Sequence, residues 1–327
     1  MATIKDVAQL AGVSVTTVSR VLNKRGYISK ETYELVYDAI KQLNYIPNQL
    51  ARNLYKQRTY YISLIVPDSS NPFWAEITKY IEFNLYTHGY KLFLCNTNDD
   101  ANRERENLRM MRQNMVDGII LATHMLHPEE YQNLMLPIVS LDLTISDEIP
   151  VVYSNHAKGG HLAAQELIRS GCKRVLNVIA VVADKSPSIQ RHTIVTQELR
   201  AHGIECIEHM WDTNAGMAEY YGRIEHLFDQ YPGIDAIFSE DIIVMYAIKC
   251  ANERGLKIPE AFKAVGYDGT LMSKISYPSM TYVAQPIRKL ADQLVEVLLK
   301  KIEGQEIKGN TILDDVFLVH GDTTPPA

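Results

Sequence analysis

The first 23 residues constrain the fold most, because two short amphipathic segments meet there at an abrupt turn. In the first segment, Ile4, Val7 and Ala11 fall at helical spacing and predict a helix with one apolar face. Gly12 stands where a helix end favours a residue that tolerates positive φ, and Ser14 stands where the next helix favours an N-cap. This arrangement predicts a helix-turn-helix.

The second segment predicts a helix whose buried stripe is formed by Val15, Val18 and Leu22. Its opposite face carries short hydroxyl side chains and one arginine. Small hydroxyls contact phosphates and base edges, and arginine pairs bidentately with guanine, so this face suits a helix in a DNA major groove. An ordinary helical hairpin with a solvated polar face is the alternative. The residues of the polar face are Thr16, Thr17, Ser19 and Arg20.

Charge is distributed unevenly along the chain. Residues 1–60 carry nine Lys and Arg side chains against four Asp and Glu, a net charge of +5. The whole chain has a formal net charge of −6, which leaves −11 for the remaining residues. A basic head on an acidic body predicts a phosphate-binding surface on the head, while the body avoids non-specific contact with DNA.

A third helix is predicted from about Lys30 to Leu43, with Ser29 as its N-cap and Asn44 and Pro47 as its stop. Packed on the first two helices, it would complete a small apolar core, which is marginal for a domain of about 45 residues. The expected core residues are Ile4, Val7, Val18, Leu22, Val36 and Ile40.

Length and composition exclude several classes of protein. With 327 residues, 46% of them hydrophobic, the chain can build a large core and more than one domain. It has no run of about 18 apolar residues and starts without an apolar leader, so we expect no membrane span and a cytoplasmic location. Four widely spaced cysteines predict buried free thiols rather than a disulfide or zinc framework: Cys95, Cys172, Cys206 and Cys250.

From Tyr60 onward, short apolar runs alternate with helical patterns such as Trp74 to Leu85, which Gly89 closes. This alternation predicts parallel sheets covered by helices. Residues 60–327 exceed one doubly wound unit, so we expect two lobes. The predicted strands include Ile62–Val66, Lys91–Leu94, Gly118–Leu121, Val175–Val182, Ala236–Phe238, Ala264–Gly266 and Met280–Val283.

Polar side chains follow several of these strands, at the sheet edge where parallel strands place ligand groups. Carboxylates and amides beside aromatic rings suit a sugar, because hydroxyl pairs hydrogen-bond to the former and C–H faces stack on the latter. A loop Asp or Asn also commonly caps the next helix, and this alternative is open for Asp68, Asn71 and Asp241. The candidate residues at these strand ends are Asp68, Asn71, Phe73, Trp74, Asp142, Glu240 and Asp268.

The N-terminal motif Ala-Gly-Val-Ser-x-x-Thr-Val-Ser-Arg-Val-Leu-Asn, from Ala11 to Asn23, closely resembles the helix-turn-helix of the lactose/galactose repressor family. The resemblance continues through Gly26–Ser29 and Leu43–Asn48 and on to the end of the chain. Within the family, the core resembles most the group that contains sucrose-operon repressors.

The resemblance implies a small all-α helix-turn-helix DNA-binding head over residues 1–46 and a hinge helix over 47–58. It also implies an α/β two-lobed core of the periplasmic-binding-protein type I fold over residues 59–327, which binds an effector and dimerises. From its sequence alone, the segment Asn48–Tyr55 is also compatible with a plain linker, because an isolated helix of this length is unstable in water.

In this family the hinge helix forms on the operator, and a leucine wedges between base pairs from the minor groove and kinks the duplex. Leu54 matches that leucine, and Arg52 is a candidate minor-groove or phosphate contact. Val15, Thr16 and Arg20 are expected to read the major groove. The other candidate DNA-contacting residues are Thr3, Ser14, Thr17, Ser19, Asn23, Tyr45, Asn48 and Ala51.

The resemblance also implies effector-binding residues in the core. Asp142 matches the aspartate after the fourth core strand, and Asp268 matches the aspartate of a Gly-aromatic-Asp motif. Gln285 matches a glutamine at a crossover between the lobes, and Phe73 and Trp74 match an aromatic pair that follows Asn-Pro.

The sequence departs from the family pattern at two places near the implied site. Arg191 matches an effector-gripping arginine, but Ile194 and Val195 follow it where the family has glycine and an aromatic. Glu240 stands where the family has asparagine, so an acceptor-only carboxylate replaces an amide. An anionic sugar phosphate would be repelled by Glu240 unless Arg191 or Lys185 offset its charge. We therefore expect a neutral sugar.

Enzyme motifs are missing from the sequence. It has no Gly-x-Gly-x-x-Gly after a strand, no phosphate-binding Gly-Lys-Ser/Thr loop and no Gly-x-Ser-x-Gly elbow, and no cofactor or metal is expected. We predict a homodimeric repressor of a carbohydrate-utilisation operon that binds a pseudo-palindromic operator and is released by a small sugar between the lobes. Control by a corepressor, a sugar phosphate or a protein partner remains open. A solute-binding protein without a DNA role is the more remote alternative.

Overall fold

The computed structural model describes residues 2–23, 25–46, 58–114, 116–123, 125–180, 186–211 and 217–326. The chain divides into two compact units, Met1–Thr59 and Tyr60–Ala327. Within the described ranges, every helix is too short or too polar to cross a membrane.

The described part of the first unit contains three short helices, each of which starts at a side chain that accepts a backbone N–H. Thr3 and Asp6 form a reciprocal capping box, while Ser14 and Ser29 each accept from the N–H three residues further on. Gly12 has φ +66°, as expected for the residue that ends the first helix. The helices are α1 (Ile4–Leu10), α2 (Val15–Leu22) and α3 (Lys30–Gln42).

The apolar core of this unit agrees with the expected one except at its edges. Ile4, Leu22 and Ile40 are only partly buried. The prediction that Val15 belongs to the buried stripe of α2 is wrong, since 40% of this residue is exposed. Val15 lies in the first turn of the helix, beyond the packed centre, and Val21 fills the core instead. The buried residues are Val7, Ala8, Ala11, Val18, Val21, Val36 and Ala39.

The second unit alternates strands and helices, as the sequence predicts. In chain order its elements are β1 (Tyr61–Val66), α4 (Pro72–Thr87), β2 (Lys91–Asn96), α5 (Ala101–Asn114), β3 (Gly118–Leu121), α6 (Pro128–Gln132), β4 (Ile138–Leu141), β5 (Val151–Ser154), α7 (His156–Arg169), β6 (Arg174–Ile179), α8 (Ile189–Ala201), β7 (Glu205–Met210), α9 (Tyr220–Gln230), β8 (Ala236–Phe238), α10 (Asp241–Glu253), β9 (Lys263–Asp268), α11 (Leu271–Ile275), β10 (Thr281–Ala284), α12 (Ile287–Ile302), β11 (Asn310–Leu313) and β12 (Phe317–Val319).

These strands form two six-stranded sheets, and each sheet is the centre of one lobe. The order in lobe 1 is β11-β5-β4-β3-β1-β2, with all neighbours parallel. The order in lobe 2 is β12-β10-β9-β8-β6-β7, in which only β12 runs antiparallel to its neighbour. Central strands such as β3, β4 and β9 are buried along their whole length, because helices cover both faces of a parallel sheet.

In the described residues the chain passes between the two sheets three times. It leaves lobe 1 after β5, returns after β10, and leaves again between β11 and β12. Consequently α7 packs on α8 in lobe 2, whereas α12 packs on α4 in lobe 1. The four cysteines are free and buried, as expected.

Candidate functional site

The exposed face of α2 carries the side chains that the sequence assigns to DNA. Thr16 and Arg20 are exposed, and among the described residues their side chains make no hydrogen bond or ion pair. Val15 is exposed beside them. These three side chains are therefore free to meet a ligand, and they share one face of a short helix.

Other candidate DNA-contacting residues hold the local structure of the head. The Thr3 side chain caps α1, and the Ser14 side chain caps α2. Asn23 donates to the Ser19 carbonyl at 2.8 Å and so ties the last turn of α2 together. Tyr45 packs against the small core. Thr17 lies 2.9 Å from the Ser14 hydroxyl, oxygen to oxygen. Asn48, Ala51, Arg52 and Leu54, as well as Lys185 of the core, lie outside the described residues.

In the core, a buried ion pair lies at the strand ends of lobe 2. Arg191 is on α8, and its Nη2 is 3.3 Å from Oε1 of Glu240, the residue that precedes α10. The Arg191 side chain is 4% exposed and that of Glu240 20%. Burial raises the pKa of the Glu240 carboxyl, and the Arg191 charge opposes that rise. The guanidinium carbon also lies 4.5 Å from the centre of the Tyr267 ring, a cation–π contact.

A neighbouring histidine fixes the orientation of Arg191. The arginine Nε donates to Nε2 of His192 at 3.2 Å, so that nitrogen accepts and the hydrogen must be on Nδ1. Nδ1 therefore donates to Oδ1 of Asn177 at 2.7 Å. Burial, together with the Arg191 charge, holds the pKa of His192 well below its usual value. The neutral imidazole of His192 thus holds the Arg191 guanidinium in place through the hydrogen bond from Nε.

Two more carboxylates crowd this ion pair. Asp268, the last residue of β9, has φ +127°, a region that residues with side chains rarely adopt, and such strain is often found at functional sites. Its Oδ1 accepts from Nε2 of Gln285 at 2.8 Å, while Oε1 of Gln285 is buried without a partner among the described residues. Burial and the charges of Glu240 and Asp241 raise the pKa of Asp268 well above its usual value. The unpaired Oε1 of Gln285 and the carboxylate of the strained Asp268 therefore lie at the same site.

Asp241 does not cap α10, so that alternative is wrong. It is the first residue of the helix, and its Oδ2 accepts from the backbone N–H and the hydroxyl of Thr270, at 2.7 and 2.9 Å. Burial raises the pKa of Asp241 to about 7. Asp241 therefore ties the start of α10 to the start of α11.

Lobe 1 contributes Asp142, which follows β4 in a left-handed conformation (φ +56°). Its Oδ1 lies 2.7 Å from Nε2 of His156, and the other ring nitrogen of His156 lies 3.0 Å from the Tyr267 hydroxyl. Asp142, Arg191, Glu240, Asp268 and Gln285 are thus brought to one region of the core.

The candidates that follow β1 have local roles in the structure. Asp68 accepts from the N–H and the hydroxyl of Ser70, and Asn71 accepts from the N–H of Phe73 and caps α4. Phe73 is buried, with its ring edge-on to Trp74 at 4.9 Å between centroids. Within the described residues, no hydrogen bond joins these side chains to the cluster around Arg191.

The β1 loop nevertheless lies near lobe 2. Burial raises the pKa of Tyr220, and the charges of Glu240 and Asp68 both add to this rise. A tyrosine of lobe 2 is therefore within electrostatic reach of the β1 loop and of the Arg191 ion pair. Sequence reasoning did not select Tyr267 or His156. Both were accessible to the rule used for the other candidates, because Tyr267 is the second-last residue of β9 and His156 comes two residues after the end of β5.

Two family models match the chain. The model described as "Bacterial regulatory proteins, lacI family" matches residues 3–48. The model described as "Periplasmic binding proteins and sugar binding domain of LacI family" matches residues 59–318.

Several curated proteins are similar over almost their whole length. The chain is 38% identical to the ribose operon repressor of Halalkalibacterium halodurans, with 93% of this chain and 91% of that protein covered. It is 39% identical to the sucrose operon repressor of Pediococcus pentosaceus, with 92% of each covered. It is 36% identical to the sucrose operon repressor of Streptococcus mutans, with 99% of each covered.

Solved structures show the same fold. The lac repressor dimer bound to operator and the anti-inducer ONPF superimposes with a TM-score of 0.83 at 25% identity, with 99% of each chain covered. The complex of the transcriptional regulator CelR with cellobiose gives a TM-score of 0.70 at 26% identity, with 99% of this chain and 100% of that chain covered.

Proposed function

The chain belongs to the lacI family of bacterial regulatory proteins, and from this premise we propose that it represses a carbohydrate-utilisation operon and is released by a sugar. One observation carries the proposal. The same chain holds a helix-turn-helix with an exposed Arg20 and, at the strand ends of its core, a buried acceptor-rich cluster around Arg191.

On the DNA side, we propose that residues 1–46 form the DNA-binding head. Val15, Thr16 and Arg20 would contact base edges, because they lie on the exposed face of α2. Thr17, Ser19 and Asn23 would position the helix on the phosphates. The remaining candidates in the head, Thr3, Ser14 and Tyr45, would contact the DNA backbone from the positions that stabilise the head.

Residues 47–58 are proposed to form the hinge helix, with Leu54 as a wedge in the minor groove and Arg52 beside it. Asn48 and Ala51 are the other proposed contacts of this helix.

We propose that the protein acts as a homodimer on a pseudo-palindromic operator. Lobe 1 exposes Phe83 and Tyr86 on α4 and Phe93 on its edge strand β2, and lobe 2 exposes Ile275 and Tyr277 at and after the end of α11. Exposed aromatic and aliphatic side chains grouped in this way are typical of subunit interfaces. Two heads in one dimer would meet two half-sites.

The proposed effector site, within residues 59–327, consists of Asp142, Arg191, Glu240, Asp268 and Gln285. The positive charge of Arg191 is already committed to Glu240, so a phosphate would meet an excess of carboxylates. Sugar hydroxyls, by contrast, donate to such acceptors. A neutral sugar therefore fits best, in keeping with the ribose and sucrose in the names of the relatives. Asp68, Asn71, Phe73 and Trp74 would close the site from lobe 1.

A modest preference of the sugar for one conformation is enough for control. If the sugar prefers the conformation that does not bind the operator by about 100-fold, the coupling free energy is ~2.7 kcal/mol. If it prefers the operator-binding conformation, the same site makes it a corepressor. The proposed function places the protein in the cytoplasm, with the operator. The basic head speaks against a solute-binding protein without a DNA role.

The test is fluorescence anisotropy of the full-length protein on its own upstream DNA at one salt concentration, because salt alone changes affinity strongly. Ribose, sucrose, cellobiose and sugar phosphates would be added in turn, and Arg20→Ala would serve as the head variant. Release by one sugar, and at least a tenfold weaker complex with Arg20→Ala, are the expected results. Tightening by a ligand would indicate a corepressor. A wild-type protein that does not bind the DNA specifically would refute the proposed function.

A further inference from the structure

His156 connects the two lobes at the proposed effector site. It is the first residue of α7, directly after the first passage of the chain between the lobes, and its side chain has no exposed surface. One ring nitrogen contacts Asp142, which follows β4 of lobe 1. The other contacts Tyr267, which belongs to β9 of lobe 2. A single buried ring therefore joins the ends of strands from both sheets.

One hydrogen position in this link follows from the partner that accepts it. A carboxylate only accepts, so the hydrogen on Nε2 of His156 donates to Oδ1 of Asp142 at 2.7 Å. The Tyr267 hydroxyl oxygen lies 3.0 Å from Nδ1 of the same ring, and burial raises the pKa of this hydroxyl, which therefore keeps its proton. The link thus joins Tyr267 through His156 to Asp142, with both ring nitrogens engaged.

Two further contacts strengthen the link. The Ser186 hydroxyl donates to the backbone carbonyl of Asp142 at 2.7 Å, so lobe 2 holds Asp142 at both its side chain and its backbone. On α7, one turn after His156, Gly159 leaves space for Tyr267. A Cβ at Gly159 would lie 2.4 Å from the Tyr267 hydroxyl oxygen. The close approach of Tyr267 to α7 therefore requires this glycine.

The link also reaches Arg191, whose guanidinium lies over the Tyr267 ring. We propose that His156 is the positioning residue of the effector site. It holds Asp142 with one oxygen engaged and the other left for a ligand hydroxyl, holds Tyr267 under Arg191, and thereby ties the two lobes together. The contacts alone support the connection between the two lobes, whereas the role of His156 in ligand binding rests on the proposed function.

The first test needs no ligand. His156→Phe keeps a ring in the cavity but removes both hydrogen bonds. His161→Phe is the matched control, because His161 lies on the same helix but is exposed and paired with Glu198. Hydrogen–deuterium exchange is measured on the ligand-free protein in the peptides that cover β4 with Asp142 and β9 with Tyr267. Exchange in each peptide should rise about tenfold for His156→Phe, because each loses one hydrogen bond and about 1.4 kcal/mol corresponds to a factor of ten. Exchange should not rise for the control. Unchanged exchange in these peptides would overturn the proposal.

The second test uses the sugar that releases the wild-type protein from DNA. For each protein, the sugar concentration needed for release is measured beside the operator affinity without sugar, and His156→Phe should need about tenfold more sugar for release than the wild type. His156→Gln, which keeps a donor for Asp142, should recover part of this loss. A merely structural role would lower operator binding and sugar response together, and that result would overturn the positioning role. If no sugar acts on the wild type, the proposed effector class fails, while exchange still decides the connection between the two lobes.

Discussion

Replacing Arg191 tests the electrostatic account of the effector site most directly. Arg191→Met keeps most of the side-chain volume but leaves Glu240 without its cation. Removing one member of a buried ion pair typically costs ~3–5 kcal/mol, because an uncompensated charge remains. Glu240 is 20% exposed and the pair is 3.3 Å apart, so water screens part of the remaining charge. We therefore expect the lower end, about 3 kcal/mol of unfolding free energy.

Both tryptophans of the chain, Trp74 and Trp211, lie in the unit Tyr60–Ala327, so their fluorescence during urea unfolding reports the unfolding of this unit. Arg200→Met is the matched control, because Arg200 lies on the same helix in an exposed pair with Glu208 and should cost less than ~1 kcal/mol. Adding Glu240→Gln to Arg191→Met removes the uncompensated charge, so the double variant should lose at least ~1 kcal/mol less than the sum of the single losses.

The unfolding free energy that Arg191→Met loses should also depend on pH. Burial already raises the pKa of Glu240, and removing the opposing Arg191 charge raises it further. Protonation then relieves the uncompensated charge at low pH, so Arg191→Met should lose less stability at pH 5 than at pH 8. Additive losses in the double variant, or a cost of Arg191→Met equal to that of Arg200→Met, would refute this reasoning.

Two further substitutions test the surroundings of the cluster. Burial raises the pKa of Asp241 to about 7, so the native state binds this proton more tightly than the unfolded state does. The free energy of unfolding should therefore fall as pH rises from about 4 to 7, by at most ~1.4 kcal/mol per pH unit. Asp241→Asn, whose amide oxygen still accepts from Thr270, should flatten that slope in urea unfolding at pH 5 to 8, and parallel curves would contradict the assignment. Gly159→Ala should destabilise the core by about 1–3 kcal/mol, because its Cβ meets Tyr267. The exposed-side control Gly222→Ala, where a Cβ meets nothing within 4 Å, should not destabilise, and equal effects would show that the close approach is unimportant.

Local signals in the sequence predicted local structure well. The spacing of apolar residues and the Gly12–Ser14 turn predicted α1 and α2, because caps and helix periodicity act over three or four residues. The strand-end rule selected Asp142, Glu240 and Asp268, and the structure brings them into one region. The error at Val15 has the same local origin, since periodicity indicates a face of a helix but not where the packed core ends.

Asp68 and Asn71 show the limit of that rule. Both follow β1 as a ligand group would, yet their side chains hydrogen-bond to Ser70 and Phe73. A short polar side chain in a loop can serve a turn, a cap or a ligand, and the sequence pattern is the same for each. Only the contacts distinguish these roles.

Local patterns along the chain were enough to predict the helix-turn-helix, the alternation of strands and helices, and the residue types at the strand ends. Which of those residues meet depends on the tertiary fold. Arg191 and Glu240 are 49 positions apart, and His156 and Tyr267 are 111 apart. The cause is topological, because strands that are neighbours in a sheet are not consecutive in the chain. Since β6 lies beside β8, Arg191 and Glu240 meet only when the sheet of lobe 2 has formed, and Asp142 joins them only when lobe 1 is also in place.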